Sequence, residues 1–158
     1  RSLTLGCTYC GGPGSQLMPQ ENAEKLLAGF ASGDREQAIR AGYEVNLSPA
    51  FRADEQAFSA FHEMATSVPA AREVIQLQLQ AIVGHDTSGR LGEIATPTLI
   101  VHGTVDGVLP YANGEMIAGL MPGARLETLA DVGHMFWWEQ PQRSAELIRE
   151  HALAAGRA

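Results

Sequence analysis

The sequence predicts an α/β fold: about three parallel strands with flanking helices, and an all-helical insertion between the first strand and the second. Three observations carry this expectation. Residues 98–101 (TLIV) form a short apolar, partly β-branched run stopped by His102-Gly103, the pattern of a strand buried on both faces. A helical pattern and then a strand-like alternation follow at once, as a parallel crossover requires. Between Gly14 and Gly92 strand signals almost vanish, and amphipathic helical segments are punctuated by Pro, Gly and Ser.

In chain order, residues 2–8 are apolar at alternate positions and end in Gly11-Gly12-Pro13-Gly14, through which no strand continues. Helices are expected near 19–31, 35–46, 49–66 and 69–83. Their apolar positions include Leu26, Leu27 and Phe30; Ile39 and Tyr43; Phe51, Phe58 and Phe61; and Ile75, Leu79 and Ile82, giving each segment one apolar face. After the 98–101 strand, Met116, Ile117 and Leu120 recur at helical spacing within 110–121, which Pro110 opens and Pro122-Gly123 ends. Residues 125–129 alternate as a strand, and the loop 130–133 delivers His134. A closing helix is expected over 139–154, with Ala145, Leu147, Ile148 and His151 toward the sheet and Trp137 and Trp138 as packing anchors at its start.

The crossover brings two chemical groups together. About a dozen helical residues at roughly 1.5 Å each span about 18 Å, and six strand residues at roughly 3.3 Å span about 20 Å, so the return closes. Asp106 and His134 then leave the same sheet edge from strands about 4.8 Å apart. A carboxylate set against an imidazole fixes the ring's tautomer and stabilises the imidazolium formed when the ring takes a proton from a nucleophile. A helix-capping role for Asp106 and a loop role for His134 form the plainer alternative.

HGTVDGVLP followed by GHMFWWEQP resembles the C-terminal half of the α/β-hydrolase fold, the superfamily of esterases, lipases, lactonases and peroxidases. The resemblance implies a core built from residues 1–16 and 93–158 and a helical cap inserted over 17–92. It implies that Asp106 and His134 are the acid and base of a Ser-His-Asp triad. The G-x-S-x-G nucleophile motif occurs nowhere in the 158 residues, so the serine is expected in a missing N-terminal half and the chain alone is expected to be inactive. Met135, Val108 and Phe61 are the candidate substrate contacts, suited to a small apolar ester or lactone. The alternative is a non-catalytic half that self-associates or pairs with a complementary half.

A chain of 158 residues is long enough for one domain with a sizeable core. The net charge of -7, with no Lys/Arg cluster, argues against nucleic acid or an anionic membrane surface as partner. No apolar run approaches the roughly 20 residues of a membrane helix, and cytoplasmic residence is the expectation. Cys7 and Cys10 form a C-x-x-C whose spacing fits a redox pair, half a zinc site or a replacement nucleophile; the Gly-rich turn after it favours two small residues at a strand end. His62, His85, His102 and His151 lack partners at metal-ligand spacing, so no metal and no cofactor are expected, nor a catalytic role for these histidines. A homo-oligomer, or pairing with a complementary N-terminal half, is expected.

Overall fold

The computed structural model describes residues 1–67 and 71–156. Three strands, β1 (Leu3–Gly6), β2 (Thr98–Gly103) and β3 (Arg125–Leu129), form one sheet in the order β1-β2-β3. Both pairings are parallel, with Leu5 opposite Ile100 and His102 opposite Thr128. Every residue of β2 is buried, whereas β1 is only half-buried and, among the described residues, pairs along one edge alone.

Alternation along the strands splits the core into two layers. One face gathers Cys7, Leu99, Val101, Leu129, Val132, Phe136 and Leu147, beneath α7 (Phe136–Glu139) and α8 (Pro141–Ala155). The other gathers Cys10, Leu91, Ile100, Ile117 and Met121, beneath α6 (Ala112–Leu120) and the 3-10 turn Ser88–Glu93. The two cysteines therefore belong to opposite faces, and both are free thiols. A redox pair does not form from them.

Between β1 and β2 lie α1 (Gln20–Ala31), α2 (Arg35–Asn46), α3 (Pro49–Arg52), α4 (Glu55–Ser67) and α5 (Arg72–Val83). The single helix expected over 49–66 is two, because the Asp54 side chain accepts from the Gln56 amide and starts a new helix. The expected start of the next helix at Pro69 lies outside the described residues. Likewise the closing helix is divided at Gln140, whose backbone (φ -131°, ψ 64°) leaves the helical region, which a following proline disfavours. Along α8 only Ser144 and Leu147 are buried; Ile148 is 42% exposed and Ala145 is also exposed, so the inward face is narrower than expected.

Tyr43, Leu47 and Phe61 form a third core within the helical layer, packed by Phe58, Met64, Met135 and Trp138. The expected apolar faces of α1 and α5 are instead open: Leu27, Phe30, Leu79 and Ile82 are all exposed. Among the described residues no helix is long and apolar enough to cross a membrane.

Candidate active site

The site forms where β2 and β3 end. Gly103 allows the two loops to meet, since a Cβ there would fall 2.2 Å from the Val132 carbonyl oxygen. The Thr104 amide donates to Leu129 O at 3.0 Å and the Val105 amide to Val132 O at 3.1 Å, locking the loops together. Asp106 follows, with its side chain fully enclosed.

Asp106 Oδ1 accepts the Val108 and Leu109 amides at 2.8 and 2.9 Å, so the turn after β2 holds the carboxylate in one orientation. Oδ2 lies 2.9 Å from His134 Nδ1. Burial alone would raise the Asp106 carboxyl, but hydrogen bonds from His102 and His134, the charge of His134 and the Leu109 N–H together hold it well below the usual carboxylate range. An ionised carboxylate only accepts, so His134 Nδ1 carries the proton and Nε2 is left as the basic atom. The His134 side chain is 20% exposed and thus open to a reacting partner.

A second imidazole meets the same carboxylate. His102, fully buried at the end of β2, places Nε2 2.8 Å from Leu109 O and 3.2 Å from Asp106 Oδ2. Both neighbours accept, so Nε2 is the protonated nitrogen; Nδ1 is buried without a partner among the described residues. Gly114 of α6 makes room for the ring, since a Cβ there would come 2.8 Å from Nδ1. His102 has no partner at metal-ligand spacing along the chain, and its part in the site was missed. The signal available was position: it ends the same strand that delivers Asp106.

Cys7 lies on the other side of the pair. It has a left-handed backbone (φ 42°), uncommon for a non-glycine residue. Its Sγ, an Asp106 oxygen and a His134 ring nitrogen lie within 4.8 Å of one another. Burial first, and then the negative charge of Asp106, push the Cys7 thiol far above its ordinary range, so it stays a neutral thiol. A nucleophilic cysteine reacts as the thiolate, which disfavours that role for Cys7.

The helical layer touches both loops. Asn22 Nδ2 donates to Gly107 O at 2.8 Å, and the Met135 amide donates to Asn46 O at 3.2 Å. Glu139, which stands in the GHMFWWEQP stretch but has no expected role there, accepts from Gly133 N, Ser48 N and Ser48 Oγ. Of the expected substrate contacts, Val108 is half-buried and donates its amide to Asp106, and Met135 is half-buried beside His134 at the edge of the helical core. Phe61 is 6% exposed, edge-on to Tyr43 and Trp138. It packs the helices of the insertion against α7.

No protein-family profile matches the sequence. Over 66 residues the chain is 33% identical to monoacylglycerol lipase abhd6-A of Xenopus laevis, a match covering 42% of this chain and 20% of that protein. It is 31% identical over 72 residues to the pimeloyl-[acyl-carrier protein] methyl ester esterase of Aromatoleum aromaticum, covering 46% of this chain and 29% of the esterase. The crystal structure of a hydrolase from Pseudomonas aeruginosa PA01 superimposes with a TM-score of 0.74 at 25% identity, covering 96% of this chain and 55% of that one. The chain thus spans about half the length of such solved structures and less than a third of these curated relatives. With its parallel β1-β2-β3 order and intervening helices, it has the architecture of the C-terminal half of an α/β-hydrolase fold enzyme.

Proposed function

We propose that this chain supplies the acid and base of a Ser-His-Asp triad in a hydrolase of carboxylic esters or lactones. The observation that carries the reading is the 2.9 Å bond between Asp106 and His134 Nδ1, with the carboxylate fixed by two backbone amides. One relative is named a lipase and another a methyl ester esterase, which supports the same class of reaction. No G-x-S-x-G occurs in the 158 residues, so the serine comes from a segment outside this sequence.

In this reaction His134 Nε2 takes the serine hydroxyl proton as the oxygen attacks the carbonyl, and Asp106 stabilises the imidazolium. The tetrahedral intermediate collapses to an acyl-enzyme while His134 returns the proton to the departing alkoxide. Water then attacks the acyl group under the same base and releases the acid. Residues 17–92 act as a cap, with Val108 and Met135 beside the dyad as contacts for a small apolar acyl or ring group.

A second reading is a non-catalytic half that associates with itself or with a complementary half. It is favoured by the edge of β1 that is unpaired among the described residues and by exposed Leu27, Phe30 and Leu79.

Hydrolysis of p-nitrophenyl acetate and butyrate separates the two. The 158-residue chain alone should not exceed free imidazole, because a base without nucleophile or oxyanion donors lacks the largest contributions to acyl transfer. Joined to a segment carrying a G-x-S-x-G, it should turn over, and His134→Ala should lower kcat by roughly three or more orders of magnitude. Unchanged turnover in that variant would place the base elsewhere; no turnover from the joined protein would favour the second reading.

A further inference from the structure

His134 sits on a loop whose main chain is gripped on both sides. After it, the Met135 amide bonds Asn46 O; before it, the Gly133 amide reaches the Glu139 carboxylate at 3.0 Å. Glu139 uses both oxygens. Oε1 also takes the Ser48 amide at 2.8 Å, and Oε2 takes the Ser48 hydroxyl at 2.6 Å. Ser48 itself is 1% exposed and stands at the α2–α3 junction, 91 positions from Glu139 in the chain.

Three segments converge on this one carboxylate: the histidine loop, the helical layer and α7. The fit around Gly133 is close enough to exclude any side chain there, since a Cβ would fall 2.8 Å from Asn46 O, Ser48 N and Glu139 Oε1 alike. A charged acceptor shared by two main-chain donors and a hydroxyl fixes their relative positions more firmly than any one neutral bond would.

We infer that Glu139 is a positioning residue for His134, clamping the Ser48 turn of the helical insertion to Gly133 and so holding the imidazole against Asp106. As a part of catalysis this rests on the triad reading proposed above; as a statement about the orientation of the ring it does not. The insertion is then a support of the base, fixed to it, rather than only a lid above it. Removing the carboxylate leaves two buried amides without an acceptor and lets the Gly133–His134 peptide turn, so the ring loses its single arrangement.

The test uses the full 158-residue chain, with nitrogen-15 NMR of the His134 ring assigned through His134→Gln, and amide exchange read at Gly133. Wild type should show one tautomer, protonated at Nδ1, and a protected Gly133. Glu139→Ala should give a mixture of tautomers and exchange at Gly133 faster by about tenfold or more, the consequence of losing a charge-assisted bond. Glu139→Asp, shorter by one methylene and chosen in case the alanine variant does not fold, should do the same. Glu139→Gln should keep the single Nδ1–H tautomer and exchange at Gly133 more slowly than alanine, though faster than wild type, since its carbonyl accepts both amides without the charge while its NH2 faces a Ser48 hydroxyl able to accept. A single Nδ1–H tautomer and unchanged Gly133 protection in the folded alanine or aspartate variant would overturn the inference, and so would a glutamine variant as perturbed as alanine. Loss of ester turnover has no bearing on these readouts, so a failed triad reading and a failed clamp are told apart.

Discussion

Replacing Asp106 by asparagine changes one atom and reverses the hydrogen-bond logic of the site. The carbonyl of the introduced amide could still accept the Val108 and Leu109 N–H groups, as Oδ1 does at 2.8 and 2.9 Å. Its NH2, however, would face His134 Nδ1 and His102 Nε2, at 2.9 and 3.2 Å in the wild type, and both carry protons. Donor then meets donor. Two charge-assisted bonds are lost at roughly 1.5–3 kcal/mol each, and partial relief comes when His134 changes tautomer, so the variant should be less stable by about 2–4 kcal/mol near neutral pH. The difference depends on pH with a definite sign. Because the folded state holds the Asp106 carboxyl below its ordinary value of about 3.9, the stabilisation is present above that value and is lost as pH falls through it toward the depressed folded one. Urea unfolding of both proteins between pH 3 and pH 8 checks this, with nitrogen-15 NMR reporting the His134 tautomer. Equal stability at pH 7, or a His134 ring still protonated at Nδ1 in the variant, would refute the reasoning.

Four other outcomes are expected. His102→Leu removes one of the two imidazole donors to Asp106, so the Asp106 carboxyl should titrate closer to its ordinary range, read by carbon-13 NMR of the carboxylate; no change would mean that the 3.2 Å contact contributes nothing. Gly133→Ala forces a Cβ to within 2.8 Å of Asn46 O and Ser48 N and should cost about 1–3 kcal/mol in a urea melt. Cys7, buried and kept as a thiol, should resist iodoacetamide in the folded chain and react only as fast as the chain opens; rapid alkylation under native conditions would contradict its enclosure. The one-sided pairing of β1 and the exposed apolar residues of α1 and α5 predict self-association, so light scattering on serial dilution should show a dimer or larger; a monomer at every concentration would count against it.

The parts of the fold legible in the sequence are those fixed by local pattern. The TLIV run, the crossover that closes on length alone and the alternation before His134 lead to the parallel β2-β3 pair, while the place of β1 beside β2 follows from the family resemblance. The same geometry puts Asp106 and His134 side by side across 28 positions. Helix interruptions are harder to see, because Asp54 acting as a cap and Gln140 bending before Pro141 are decided by single residues within otherwise helical stretches. Burial on the helical insertion is not legible from pattern: Leu27 and Leu79 have helical spacing, but spacing does not say whether anything covers the face. His102 and Glu139 both stand inside the stretches HGTVDGVLP and GHMFWWEQP, but their partners are not legible there. His102 meets Asp106 only because the turn after β2 folds back, and Glu139 meets a serine 91 positions distant, a contact that spacing along the chain does not announce.

The proposed acid–base role of Asp106 and His134 is tested most directly by a single pre-steady-state measurement. The chain is joined to a segment bearing the nucleophilic serine and mixed rapidly with excess p-nitrophenyl butyrate, and p-nitrophenol release is followed from the first milliseconds. The triad reading predicts a burst of about one equivalent per active site as the acyl-enzyme forms, followed by slower turnover, with both phases slowed by roughly three or more orders of magnitude in His134→Ala. A burst of undiminished rate in that variant would contradict it.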